Sequence, residues 1–593
     1  MTIDDSIETR FLLGSVMQIA VLTHATAFKD RDVEQFFRLV EDGAGFAETA
    51  LAPLNRSGDE NGVSFKNRSA KLPKGFKSAW KNIQKGNWQN ICRGMGPDGQ
   101  PIPESVAIGI QEIFFAANPA IYYTLASTIQ VGKLIQQYGD EKLTSIFREK
   151  LFSCEWSGAL GLYEYGDTHH LEHPRTAAVQ KKGYYSITGL KERVIAGDHD
   201  LNENLIYLIT TGLETGKKGE NKIGLMAVPR FRLEDGQMVD NGVRVESAYA
   251  TTGLKGVPCC KISFGSDKEC RGFLLENLST DPEAVFSVLE DWYAQFTLHS
   301  VAQTRNACFD LKAYSCQSQP NDSTPSRDLE LSLTPVLIHL KSVYEGLQGA
   351  IHMSAFYLDC IQHGAEGQRE YFSDLLTLYR SIFKSYGSVS SIEALAKGLR
   401  QGGGIAFDPE SIIEQSFRDL HTGMLIGPDE NRVAELFLDQ ILPSKKGRLF
   451  SQLLKQFETI DAHLVMSESL IETIAIWRDY IGGLIVLFGD IMEGQKQADN
   501  RISGLYAKQI LKLFGDVIVC YHLIIQAIEA ERILAEEGAN FYNLRQEVAR
   551  DPAFEKWYNK ILTAEFFVVH ILSLQESTIR LIQKRPQATL ELI

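Results

Sequence analysis

Side chains able to do chemistry gather in a few places along this chain. The segment Leu425-Ile426-Gly427-Pro428-Asp429-Glu430-Asn431 carries two adjacent carboxylates, Asp429 and Glu430. A placed carboxylate can accept a proton in catalysis. Pro428-Asp429 is also a favoured turn pair, so the plain reading is a solvated acidic turn. Glu290 and Asp291 read first as surface acids. His169, His170 and His173 cluster in a short stretch, but no cysteine lies nearby and no helix carries histidines at four-residue spacing. A solvated loop is therefore favoured over a metal centre. Gly402-Gly403-Gly404 could let backbone approach a ligand closely, yet glycine serves any tight turn equally well. Lys181-Lys182 and Lys217-Lys218 read as hairpin tips. No phosphate-binding G-x-x-x-x-G-K-[S/T] and no G-x-S-x-G occurs.

The elements that must position these groups change in texture along the chain. Helical periodicity runs through Phe36, Phe37 and Val40 and on to Phe46, Leu51 and Leu54, with Pro53 expected to end or kink the helix. A Gly- and Pro-containing loop, Arg93–Pro103, follows, and helical patterning resumes from Val106 to Tyr138. From Trp156 to Phe273 the signals are strand-like: Tyr184–Ile187, Leu205–Thr211, Ile223–Val228 and Cys260–Phe264, with Asp235-Gly236 as turn punctuation. From Asp281 the helical period returns, interrupted at Gln317–Arg327 and Gly402–Pro409, and Pro443–Gly447 opens a last helical region. The fold class expected is α+β. Its domains are a helical one over 1–155, a β-barrel-like one over 156–278, a four-helix-type bundle over 279–443 and a helical extension over 444–593.

Bulk properties agree with several globular domains. A single core stops growing near about 250–300 residues, so 593 residues imply two to four domains. Sixty basic and 75 acidic residues leave a net charge of −15, which disfavours nucleic acid and anionic surfaces. The nine cysteines form no repeated C-x-x-C pair, so free thiols in a reducing, cytoplasmic compartment are expected rather than zinc or disulfides. The acidic start (Asp4, Asp5, Glu8) argues against a secretory signal. The apolar stretches Gly482–Met492 and Val517–Ile528 are short, or broken by His522 and Gln526, so no membrane span is expected.

Several motifs then fall in one order. Phe46-Ala47-Glu48, Leu51-Ala52-Pro53-Leu54-Asn55-Arg56 and Gly58-Asp59-Glu60 come first; Ser186–Lys191 and Ala196–Asn204 follow; then Gly253-Leu254-Lys255-Gly256-Val257-Pro258 and Arg418-Asp419. With the helical tail Leu449–Gln583, this order resembles the acyl-CoA dehydrogenase family in its long bacterial form, over nearly the whole chain. The resemblance implies bound FAD, an acyl-CoA substrate, frequent oligomers with flavin sites completed across an interface, and a carboxylate that removes the α-proton while flavin takes the β-hydride. Phe114-Phe115 and Tyr122-Tyr123 are expected in the core or along an acyl tunnel.

At the positions the resemblance assigns, this sequence departs. The family's base lies eight residues after the aspartate of the Arg-Asp pair; from Asp419 that place is Gly427, with Asp429 and Glu430 slightly late. The alternative base position, in the first bundle helix, aligns with Trp292 and Tyr293. The flavin-facing Thr-Glu-Pro segment reads Tyr163-Glu164-Tyr165, keeping only Glu164. The aromatic residue against the ring and the hydroxyl two residues later become Arg193 and Ile195, and the pyrophosphate arginine falls at Ser318. Gly402, Gly403 and Gly404 resemble the glycine segment that nears the partner's flavin. The expectation is a divergent member with weakened or lost FAD, a pseudoenzyme that binds an acyl thioester or serves as a homodimer or paralogue partner. Its rival is an active dehydrogenase using Asp429 or Glu430. No metal is expected.

Overall fold

A computed structural model describes the chain except for residues 1, 165–172, 215–221, 318–326, 409–410, 462–464, 497–500 and 585–593. His169, His170, Lys217, Lys218, Ser318 and the loop expected within 317–327 fall wholly or largely outside the described residues.

Helices run from Thr2 to Phe152, strands dominate from Ser157 to Leu274, and helices return from Pro282 onward. The helix Val33–Phe46 starts with a capping box, in which Asp32 accepts from the Gln35 amide at 2.8 Å and the Gln35 side chain returns the bond. It does not stop abruptly at Pro53. It loosens through a wide turn, Ala47–Leu51, and tightens in Ala52–Leu54, where proline needs no amide donor.

The strands close on themselves. Tyr184–Ile195 pairs with Arg271–Leu274, then Ile223–Pro229, Leu205–Leu213 and Ala177–Lys181, which returns to Tyr184–Ile195. This ring is the barrel-like core. Val243–Ala248 and Cys259–Phe264 extend it on one side and Ser157–Gly161 on the other. Its interior is filled by Ile187, Val194, Tyr207, Ile209, Met226, Val228 and Phe264. The Lys181-Lys182 pair sits at the hairpin between Ala177–Lys181 and Tyr184–Ile195, and Asp235-Gly236 turns with positive φ at both residues.

Three motifs that are far apart in sequence meet at one joint. Arg418 makes paired bonds to Asp59 (2.9 and 2.7 Å) and a third to the Thr252 carbonyl (3.0 Å). Its neighbour Asp419 accepts from the Leu254 amide at 2.5 Å, and the Gly253 amide donates to Thr422 at 2.8 Å. The Val63 amide in turn donates to the Lys255 carbonyl. The joint thus locks the first helical segment, the barrel and the bundle together, with a planar guanidinium matched to a carboxylate. Gly253 presses so close that a β-carbon there would be driven into the Arg418 main chain. Gly253→Ala is therefore expected to destabilise the protein by about 1–3 kcal/mol, the usual range for overpacking, measured as a lowered thermal midpoint.

A second buried contact ties the bundle to the N-terminal helices. Asp359, on the helix Arg327–His363, accepts from the Glu104 and Ser105 amides (2.6 and 3.0 Å) and the Ser105 hydroxyl (2.7 Å), capping the helix Glu104–Ala117. Burial outweighs these bonds and pushes its carboxyl from 3.8 up to about 7. The folded protein therefore binds a proton that the unfolded chain has released. That contribution is complete below about pH 4 and disappears as pH rises through about 7. Asp359→Asn is expected to flatten this part of the profile, an effect on the order of 2–4 kcal/mol, checked by comparing thermal midpoints of the two proteins from about pH 5 to about pH 8.

The helix Arg501–Glu536 corrects the reading that its apolar stretch is short. Its portion Leu505–Glu536 is long and apolar enough to cross a membrane, and 89% of its apolar window is buried inside this fold. The groups that seemed to break the stretch are satisfied internally: His522 pairs with the Tyr379 hydroxyl at 3.0 Å, and Gln526 donates to the Glu345 carbonyl at 3.1 Å. Lys560 joins Gln526 at 2.9 Å and Glu345 at 3.1 Å, and also pairs with Glu8, tying the last helices to the first.

Candidate functional site

The strand Tyr184–Ile195 brings Lys191, Arg193 and Ile195 to the edge of the barrel that faces the bundle. Arg193 adopts φ +53, the left-handed region that side chains disfavour, and so turns off the strand direction. Its guanidinium lies 4.3 Å from the Tyr163 ring and donates to the Leu425 carbonyl at 2.8 Å. Tyr163 is held beside it, since the Glu192 amide donates to the Tyr163 carbonyl at 2.9 Å. The Tyr163 hydroxyl donates to the Gly427 carbonyl at 2.7 Å. Tyr293, from the helix Glu290–Gln317, is buried beside Tyr163 and completes the group. The positions 163, 193, 293 and 427, scattered in sequence, thus form one seam between barrel and bundle.

Both tyrosines at this seam are buried. Burial pushes the Tyr163 hydroxyl up to about 12 against the pull of Arg193, with Asp429 adding to the rise; Tyr293 is raised further, again mainly by burial. A phenol held protonated so firmly is a hydrogen-bond donor, not a base at neutral pH. Gly427 supplies a carbonyl and no side-chain acceptor. Asp429 lies near enough to influence Tyr163, but it caps the helix Glu430–Leu436 by accepting from the Arg432 amide at 2.9 Å. Glu430 occupies the first turn of that helix, where a negative charge suits the dipole.

Glu164 has a different role from its neighbour Tyr163. It pairs with Lys191 at 2.6 Å and accepts from the Arg175 and Thr176 amides at 2.7 and 3.1 Å. Burial pulls the Lys191 ammonium down to about 8 while Glu164 opposes it; Lys191 and the donors hold Glu164 below the ordinary range despite its own burial. Lys191 also reaches Thr210 at 3.2 Å. Ile195 is buried and ladder-paired with Cys259, presenting hydrocarbon where a hydroxyl would donate.

Gly402, Gly403 and Gly404 stand apart. Gly402 ends the helix Arg369–Gly402, Gly403 turns with φ +54, and a β-carbon on Gly404 would lie 2.9 Å from the Tyr314 hydroxyl. Among the described residues no hydrogen bond or ring contact joins them to the seam. Phe407, which ends the turn after them, is 89% exposed. Phe114, Phe115, Tyr122 and Tyr123 are core side chains, as expected. Glu290 and Asp291 are ion-paired, with Lys384 at 2.9 Å and Arg380 at 2.8 Å.

Sequence reasoning marked Tyr163, Arg193 and Gly427 one at a time but missed that they bind one another. The available signal was coincidence: all three fall at positions where the resemblance expects another residue type, a small polar residue, an aromatic and an acid. Among the described residues no group of three or more His, Cys, Asp and Glu side chains is placed to hold a metal ion.

No family model matches the chain. It is 24% identical over 606 aligned positions to a butyryl-CoA dehydrogenase of Syntrophomonas wolfei, covering 95% of this chain and 94% of that protein. It is 23% identical over 390 positions to the 3-methylmercaptopropionyl-CoA dehydrogenase of Ruegeria pomeroyi, covering 64% of this chain and 66% of that one. Among solved structures it resembles Caenorhabditis elegans ACDH-11 in complex with C11-CoA, with a TM-score of 0.72, 14% identity and coverage of 93% and 89%. An acyl-CoA dehydrogenase from Bacillus anthracis complexed with FAD gives a TM-score of 0.62 at 14% identity, covering 93% of this chain and 97% of that one.

Proposed function

Curated and structural relatives together point to the acyl-CoA dehydrogenase family in its long form, and on that premise we propose that this chain is an acyl-CoA dehydrogenase-like protein that has given up flavin-dependent dehydrogenation. The observation that carries the proposal is the closed seam, in which Arg193 reaches Leu425 and Tyr163 reaches Gly427. In an active relative the corresponding groups would be a ring that packs on the isoalloxazine and a carboxylate aimed at the substrate. Here a cation, a phenol and a main-chain carbonyl satisfy one another instead.

The described residues fit a flavin poorly on three counts. Arg193 offers a charge where a stacking face is wanted, Ile195 offers no hydroxyl, and Gly427 offers no proton acceptor. An isoalloxazine entering this seam would have to break the Arg193–Leu425 and Tyr163–Gly427 bonds, leaving a guanidinium and a phenol short of partners in a partly dry site. The retained Glu164 supports the same reading, because Lys191 and two amides already occupy most of its acceptor sites. The role proposed is binding of an acyl thioester, or service as a structural subunit of a homodimer or of a hetero-oligomer with a competent paralogue, in the cytoplasm.

An active enzyme remains the rival reading, and the nearness of Asp429 to Tyr163 favours it. The test is turnover of butyryl-CoA by the full chain with added FAD and an artificial electron acceptor. The proposal expects none above the protein-free rate. Turnover that Asp429→Asn or Glu430→Gln removes would establish the rival.

A further inference from the structure

Away from the seam, a cavity of about 460 Å³ opens between the helices Glu104–Ala117, Pro119–Tyr138, Glu290–Gln317, Arg327–His363 and Arg369–Gly402. Its volume lies within the range that holds small metabolites. One wall is a single face of Pro119–Tyr138, with Tyr122, Ala126, Gln130 and Lys133 at helical spacing. The opposite side presents the Glu290–Lys384 and Asp291–Arg380 pairs, whose charges are mutually satisfied.

Two charged groups on this cavity are not satisfied. Neither the Glu104 carboxylate nor the Lys133 ammonium has a side-chain hydrogen bond or ion pair among the described residues. Burial pushes the Glu104 carboxyl up, although Lys133 pulls against it. The Gln295 carbonyl oxygen is buried there without a partner as well. At the mouth, Arg93 lies 3.8 Å over the Phe152 ring and pairs with no carboxylate among the described residues. Unpaired charges in a half-dry space carry a desolvation penalty that a matching ligand would remove.

We infer that this cavity binds a small carboxylate that also carries an amino or hydroxyl donor. Lys133 and Arg93, neither of which forms an ion pair with a carboxylate among the described residues, take the carboxylate. Glu104 and the Gln295 oxygen accept from the donor, which an anion lacking that donor cannot provide. The inference does not rest on the loss of flavin, since none of these residues touches Arg193, Tyr163 or Gly427 in the described contacts.

Calorimetric titration of the full chain with L-malate, L-glutamate and succinate tests it. Malate or glutamate is expected to bind saturably, with succinate, which lacks the donor, about tenfold weaker or more, as one charge-assisted hydrogen bond implies. Lys133→Met is expected to abolish binding of the preferred acid, and Glu104→Gln to bring it within about twofold of succinate. Because either variant alone could unfold, each is read only alongside an unchanged thermal midpoint, and one folded variant suffices. No saturable heat with malate and glutamate, or wild-type affinity in a folded variant, would overturn the inference.

Discussion

Arg305→Met is expected to lower the stability of this protein by about 3–5 kcal/mol, the range for breaking a buried ion pair from one side. Arg305 and Glu112 are both almost wholly buried and pair at 2.8 Å. Glu112 also accepts from Gln348 at 2.9 and 3.1 Å and bonds with His352 at 2.9 Å. Burial works to raise the Glu112 carboxyl, but Arg305, His352 and Gln348 together hold it below its ordinary range. Methionine fills much of the arginine's volume, so little of the loss comes from a cavity; most comes from an anion left without its full counter-charge. The same cluster joins the helices Glu104–Ala117, Glu290–Gln317 and Arg327–His363, so its rupture loosens the contact between the N-terminal helices and the bundle. The companion double variant, Glu112→Leu with Arg305→Met, is expected to recover most of the loss, because removing both charges removes the desolvation penalty with them. Thermal midpoints of the three proteins decide it: a double variant as unstable as the single one would mean that the pair itself stabilises the fold.

The second large effect concerns the seam. Arg193→Trp combined with Ile195→Thr is expected to raise affinity for FAD by about tenfold or more, equivalent to about 1.4 kcal/mol. The change removes the guanidinium that bridges to Leu425, supplies an aromatic face and restores a hydroxyl two residues later. It also frees Tyr163 from the cation over its ring. The variant should nevertheless fail to turn over an acyl-CoA, because position 427 still lacks a carboxylate. Gly427 has room for one at modest strain: its φ is −78°, and a β-carbon would lie 3.1 Å from the Gly423 carbonyl and 3.4 Å from Phe296. Equilibrium binding of FAD by fluorescence quenching checks the first step. Affinity equal to that of the wild type would show that Arg193 and Ile195 are not what keeps the ring out.

Much of this architecture was legible before any coordinates. The change from helical to strand texture near Trp156, the Asp235-Gly236 turn and the ordered motifs located the barrel and the helices on either side. Local rules suffice there, because turn chemistry and periodicity act over a few residues. Strand ends were less legible: Tyr184–Ile187 is only the beginning of Tyr184–Ile195, since Gly189 masked the continuation of a strand that pairs on both edges. The long core helix hid behind His522 and Gln526, whose satisfaction depends on Tyr379 and Glu345 more than a hundred residues earlier. The joint built on Arg418 was visible as separate motifs, but nothing local says that Arg418 seeks Asp59. The same holds at the seam. Each altered residue could be marked by comparison with a family pattern, whereas the bonds that connect Tyr163 to Gly427 and Arg193 to Leu425 are products of tertiary packing.

The flavin content of the purified full chain tests the central claim most directly. The visible spectrum is recorded, the protein is denatured, and released flavin is quantified before and after incubation with excess FAD. The closed seam predicts a colourless, folded protein that releases far less than one FAD per chain and does not take it up. Near-stoichiometric FAD, released from protein that was folded and yellow as isolated, would contradict it and return Asp429 and Glu430 to the role of candidate bases.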